Sequence, residues 1–342
     1  MARCDVKNRK LVCAALVVAA MALLPCAARA GTLATDIIGL FPKEIGEFGY
    51  ADLKKARQFR WFGQLKQQVL PGRFREFEQF LATAGVDPNT QVDELAWALV
   101  PGKLAPRPGQ AATTAVPASE QIVGVALGQF QPSAAEAFFE AQNLPTGKAR
   151  GYTLFAFGSG TGPNDLFFFF LDSNTAAFGH REILERLIEV RSGTEEGLLL
   201  NEKFFPLIRE ANGHGTVWLV LNAAYTRLAL QQLVPEASQF PQAAQLTGRL
   251  QAMLINVDAG SGLEAKFQAV CKTPNDANLF AAILQGGIMY RRFQESQSNS
   301  ELATVLDGAR IAPRGDRLEI RVALTDDQMN ALIQSSTFAV RM

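Results

Sequence analysis

Two histidines and four cysteines are the scarcest chemistry-bearing side chains in this chain of 342 residues. His180 follows "AAFG" where a helical stretch begins, and His214 sits in the turn "NGHG". Cys4, Cys13 and Cys26 crowd into the first thirty residues, leaving Cys271 alone in the remainder. A zinc site needs three or four Cys, His or carboxylate ligands at set spacing, so no metal site is assigned. Neither a His-Glu-x-x-His helix nor a Gly-x-Ser-x-Gly elbow occurs. Asp172, Ser173 and His180 supply the residue types of a hydrolytic triad, but triads are defined by placement and not by closeness in sequence. The loop "GSGTG", Gly158 to Gly162, has the glycine content of a phosphate cradle. It joins two strand-like runs, however, and so lacks the helix N-terminus that such a cradle uses. "PTGKARG" offers Gly147-Lys148 without the earlier glycine or the following hydroxyl of a P-loop. Asp326-Asp327 reads as a helix cap with first-turn acid. No catalytic residue and no cofactor is assigned.

The chain opens with a signal-like pattern. Basic Arg3, Lys7, Arg9 and Lys10 precede an apolar run from Leu11 to Leu24, then Pro25 and the small-x-small sequence Ala28-Arg29-Ala30. This is the form of a secretory signal peptide cut between Ala30 and Gly31, which implies a periplasmic or secreted protein. The alternative, an uncleaved anchor, would need about 20 apolar residues. Loss of residues 1–30 takes five basic and one acidic residue, leaving 28 basic against 32 acidic, a net charge of −4. A mildly acidic chain without a basic block has no electrostatic footprint for nucleic acid. The remaining length suits two modest domains.

Hydrophobic periodicity arranges these into two halves of similar element order. The first (residues 31–195) runs strand "EFGYADL", a long helical stretch broken at Pro71-Gly72, strands "DELAWALV" and "QIVGVALGQF", helix "SAAEAFFEAQ", strands "YTLFAF" and "LFFFFLD", and helix "REILERLIEV". Residues 101–120, rich in Pro, Ala and Gly, form a flexible loop within it. A linker spans 196–215. The second half (216–342) runs "TVWLVLN", helices, "QAMLINVDA", "LEAKFQAVCK", helix "DANLFAAILQGGIMYRRF", the polar loop "QESQSNS", "ARIAP", "RLEIRVALT" and helix "DDQMNALIQ". Each half thus reads β-α-β-β-α-β, the split-βαβ plan. The expected fold class is α+β: two tandem ferredoxin-like domains, antiparallel sheets with helices on one face.

Taken together, the signal-like start, "FPKEIGEFGYADL", "LDSNTAAFGHREILERLIEVRSG" and "LLLNEKFFPLI" leading into "TVWLVLN" resemble a group of secreted bacterial proteins of unknown function. The resemblance implies an extracytoplasmic location and carries no catalytic residue. The function expected is a non-catalytic binding or interaction protein of the cell envelope. The alternative is a haem- or apolar-ligand-binding α+β barrel, closed by the paired halves. One branch of such barrels has Gly-x-x-Asp-Gly; here "TVLDG" places Thr304 where the first glycine belongs.

Strand alternation assigns faces. In "RLEIRVAL" the apolar Leu318, Ile320, Val322 and Leu324 oppose Arg317, Glu319 and Arg321, so one face meets water. Cys271 falls on the apolar side of its strand, where a buried thiol is expected. In "IVGVALGQF" both faces lack charge, and Gly124, Ala126 and Gly128 make one of them shallow. Phe167 and Phe169 point one way from the run "LFFFFL", Phe168 and Phe170 the other. A strand apolar on both sides must be covered on both sides. The cover is the rest of the chain, a second subunit, or an apolar ligand held by Phe167 and Phe169 over Gly124, Ala126 and Gly128. The expected partners are therefore an envelope protein or an apolar small molecule. A last candidate is the segment from Lys54 to Phe80, seven basic residues mixed with Trp61 and five phenylalanines. It reads either as a helix on its own sheet or as one lying on an anionic membrane surface.

Overall fold

The protein is described here by a computed structural model covering residues 31–70, 72–101, 120–162, 164–233, 247–260, 262–298 and 300–335. The signal segment with Ala30, and all of the 101–120 loop but its two end residues, lie outside the described residues. Every described strand joins one antiparallel sheet of 12 strands. Strand β1 (Glu47–Asp52) is the seam, with β2 (Val92–Val100) on one side and β8 (Val217–Asn222) on the other. Beyond β2 come β3 (Gln121–Gly128), β7 (Thr175–His180), β6 (Leu166–Phe170), β5 (Tyr152–Phe157) and the edge strand β4 (Thr146–Ala149). Beyond β8 come β9 (Leu250–Ala259), β10 (Leu263–Cys271), β12 (Arg317–Leu324) and the other edge strand, β11 (Arg310–Arg314).

Helices of seven residues or more are numbered in chain order: α1 (Phe62–Val69), α2 (Gly72–Thr83), α3 (Pro132–Ala141), α4 (Arg181–Arg191), α5 (Phe205–Ala211), α6 (Ala223–Leu233), α7 (Pro274–Ser298), α8 (Ser300–Gly308) and α9 (Asp326–Gln334). Helix α9 starts at a full capping box: Thr325 accepts from the Gln328 amide, and the Gln328 side chain accepts from the Thr325 amide. Thr325, not Asp326, is therefore the cap. The expected polar loop 294–300 is mostly helix, because α7 continues to Ser298.

The α+β class and antiparallel pairing match expectation, but the strand order corrects the ferredoxin-like topology. A split-βαβ unit places its first strand between its third and fourth. Here β1 lies between β2 and β8, so the helical stretch after β1 returns the chain to an adjacent antiparallel strand. The halves also do not close into a barrel: they join through the β1–β8 seam, and β4 and β11 end an open sheet. The sequence reading missed β4 and β7; β7, "TAAFGH", is short and has few β-branched residues. It wedges between β3 and the phenylalanine strand β6.

Helices cover both faces of the N-terminal half, not one. On the first face Phe48, Tyr50, Ala96, Ala98, Val123, Val125, Phe167 and Phe169 form one buried cluster with Ile183, Leu184, Leu187 and Ile188 of α4. The cluster crosses the seam to Trp218, Val220, Ala252 and Leu254, so the two halves share a core. Leu198, Phe204, Ile208 and Ala211, within the expected linker, are buried in it. On the second face Phe155, Leu166 and Phe168 pack with Phe77 of α2 and Ala135 and Phe139 of α3. The phenylalanine strand is thus covered on both sides by the chain's own helices.

Candidate functional site: an apolar cavity on the second sheet face

Helix α2 carries Phe74, Phe77 and Leu81 at three- and four-residue spacing, which puts them on one helix face. That face meets the sheet where two small residues, Ala126 of β3 and Ala176 of β7, stand directly opposite each other. Alanines cannot fill the space beneath phenylalanines and leucine, and a cavity of about 130 Å³ results. Phe74, Phe77 and Leu81 roof it, Ala126 and Ala176 floor it, and Leu53, Leu70, Val92, Leu95, Phe130, Phe168 and Phe178 wall it. Aromatic contacts hold the walls: Phe77 lies 6.4 Å from Phe168 and 6.1 Å from Phe178, and Phe168 stacks on Phe155 at 5.1 Å. Edge and offset contacts of this kind fix ring orientation as well as adding stability. One ionisable side chain, Glu78, reaches the lining, and Lys66 pairs with it at 2.8 Å.

The volume decides what can enter. Drug-sized ligands occupy about 300–1,000 Å³, so this space is too small for one. The pocket is partly open to solvent, and its volume is close to the ~150 Å³ of an enclosed apolar cavity that holds a benzene-sized molecule. The cavity therefore suits one small apolar group.

The expected ligand residues are divided by the register. Ala126 lines the cavity. Gly124 does not form an open floor: the Phe178 ring lies over it, and a Cβ there would sit 2.2 Å from that ring. Gly128 is pressed against backbone, where a Cβ would meet the Gln91 carbonyl oxygen at 1.8 Å. Phe167 and Phe169 point to the opposite face, because Phe169 and Val125 each stand across from Ala177 while Phe167 and Val123 each stand across from Gly179. Residues directly opposite in an antiparallel pair share a face. Phe168, Ala176, Phe178 and the side chains of α2 line the cavity on the Ala126 side. Alternation showed that the run had two faces; matching them to β3 required β7 as intermediary.

The other candidates are satisfied locally. Phe59, Trp61, Phe62 and Leu65 pack with Met329, Leu332 and Ile333 of α9, and the Trp61 indole donates to Asp326 at 2.9 Å. Lys55 pairs with Asp258 at 2.7 Å, and Arg57 donates to the Val92 carbonyl at 2.8 Å. The apolar side of the Lys54–Phe80 segment is thus turned onto the protein. No described helix is long and apolar enough to cross a membrane.

The triad does not assemble. Asp172 accepts from the Asn174 amide at 2.7 Å, Ser173 donates to the Asn174 side chain, and both precede β7. His180 ends that strand, roughly 20 Å away at about 3.4 Å per residue, and its Nδ1 accepts from the Ile122 amide. In the "GSGTG" loop, Asp165 accepts from the Ser159 hydroxyl and the Gly162 amide, both at 2.9 Å. The loop's own carboxylate occupies donors a phosphate would use. Among the described residues no three His, Cys, Asp or Glu side chains converge as a metal site. Cys271 is a buried free thiol; burial, then Asp276 and Asp316, push its pKa up to about 11. Burial also raises Glu47 and Glu94, against the lowering hydrogen bonds from Trp97 and Tyr50, and neither carboxylate reaches the cavity.

No family model matches the chain, and no curated protein matches it in sequence. Among solved structures, TP0453 in crystal form I superposes with a TM-score of 0.48 at 11% identity, covering 90% of this chain and 99% of that one. Crystal form III of TP0453 gives 0.49 at 12% identity, covering 89% and 99%. Identity this low brings neither ligand nor activity to this chain.

Proposed function

We propose that this chain is a non-catalytic binding protein of the cell envelope, exported on its N-terminal signal and cut between Ala30 and Gly31. The cavity beneath α2 takes a small apolar molecule. The observation carrying this reading is the pairing of two alanines, Ala126 and Ala176, under an aromatic and leucine roof. Larger residues at either position would fill the space and add buried apolar contact, so the small pair maintains room at a cost in packing.

Toluene titrated into the purified protein, followed by ligand-observed NMR, tests the cavity. Saturable binding is expected in the parent and absent in Ala126→Leu, whose thermal midpoint should be unchanged or higher. Equal binding by the variant, or none by the parent, overturns the cavity reading. Export is tested separately: N-terminal sequencing of protein from the native envelope fraction should begin at Gly31, and a retained Met1 overturns it.

A further inference from the structure

Helix α7 rests on the body through its first turns, where Ala277 and Ala281 are buried against Leu250, Ala269, Cys271 and Leu318. Its other side is apolar and bare. Leu279 is 45% exposed, Ile283 48%, Met289 70%, Tyr290 65% and Phe293 70%. These are five of the eight large hydrophobic residues so exposed among the described residues, so the exposure is concentrated on one helix.

Two glycines, Gly286 and Gly287, lie in the middle of this surface, and a Cβ at either would meet nothing within 4 Å. A glycine inside a helix costs about 1 kcal/mol relative to alanine. Among the described residues nothing crowds these positions, so their packing does not call for glycine. A helix crossing closely at Gly286 would.

The residues around Gly286 are arranged as such a crossing needs. Three, four and seven positions before it stand Ile283, Ala282 and Leu279; three, four and seven after it stand Met289, Tyr290 and Phe293. These offsets share one helix face, and none of the six residues is charged. We infer that this stripe is the interface of a homodimer, formed by antiparallel packing of α7 on its copy about a two-fold axis at Gly286. That symmetry sets Phe293 against Leu279, Tyr290 against Ala282 and Met289 against Ile283, an isologous contact with the bulky tyrosine facing the small alanine.

Two further observations favour a second copy. Arg291 and Arg292, beside the stripe, are paired within the chain, with Glu295 at 3.6 Å and Asp307 at 2.7 Å. That favours a neutral protein surface over an anionic lipid one. A dimer that buried all the exposed surface of the five large residues would remove roughly 600 Å² per copy and about 1,200 Å² per pair from water, the low end for a specific interface.

Sedimentation equilibrium of the purified full chain, as its host processes it, tests the dimer. A monomer–dimer equilibrium is expected between about 1 and 200 μM, the affinity range of a small interface. Gly286→Leu should weaken it at least about tenfold while leaving the monomer equally or more heat-stable, because leucine is the better helix former. Gly286→Cys in a Cys271→Ser background should cross-link to its own copy under mild oxidation, since a residue on the axis faces itself. A monomer throughout the range, a dimer indifferent to Gly286→Leu, or a monomer that instead binds phosphatidylglycerol vesicles through the stripe overturns the inference.

Discussion

One face of the sheet has opposite character at its two ends. In the N-terminal half it carries Val123, Val125, Phe167 and Phe169, sealed by α4. At the C-terminal edge it carries Glu264, Lys266, Arg317, Glu319 and Arg321. Glu319 is 4% exposed, takes hydrogen bonds or ion pairs from Arg321 at 2.6 Å and Lys266 at 3.1 Å, and has Arg314 at 3.8 Å. Lys266 and Arg321 stand directly opposite each other, a repulsive arrangement unless a carboxylate lies between them. The same ladder geometry is thus satisfied by oily cover at one end and by charge pairing at the other. The same backbone pairing accommodates two kinds of face, and the side chains on each decide how it is covered.

The largest expected effect lies at the oily end. Phe168→Ala should cost about 3–5 kcal/mol, read as a fall in the denaturant midpoint. A loss under about 1 kcal/mol would mean that the α2 and α3 cover contributes little. Gly124→Ala comes next. Its Cβ would strike the Phe178 ring, and overpacking of this kind costs about 1–3 kcal/mol, measured the same way.

The charged end should respond less. Glu319→Gln leaves Lys266 and Arg321 able to turn toward water, so about 1–2 kcal/mol is expected at neutral pH from lost charged hydrogen bonds. Its pH dependence sharpens the contrast. Burial pushes the Glu319 carboxyl up, but Arg321 and Lys266 outweigh it and hold it below its usual 4.5. A carboxyl lowered in the folded state stabilises above its unfolded value and loses that contribution as pH falls through the folded one. Urea midpoints should therefore drop on acidification below about pH 4.5, and the drop should be shallower in Glu319→Gln. Equal slopes would remove Glu319 from the account. The smallest effect concerns Cys271, whose buried thiol should react with Ellman's reagent at pH 8 only after denaturation; rapid native labelling would show that the α7 contact opens.

The element pattern was largely readable because it is local. Phe59, Phe62 and Leu65, and Phe74, Phe77 and Leu81, announce helices through their spacing, and Arg317 to Leu324 announces a half-buried strand through alternation. The two-sided apolarity of "LFFFFL" required cover on both faces, and α2, α3 and α4 supply it. The candidate site was readable only in part: Ala126 belongs to the cavity, while Phe167 and Phe169 lie across the sheet from it.

What the amino-acid order determined was therefore which residues alternate, which recur at helical spacing, and that the N-terminal strands could not face water. Strand order, the β1–β8 seam, the insertion of β7 and the cavity between Ala126 and Phe77 were decided only by the tertiary structure. Periodicity is a property of neighbours along the chain. Pairing depends on contacts between distant segments, and one uncounted strand such as β7 changes which face meets which.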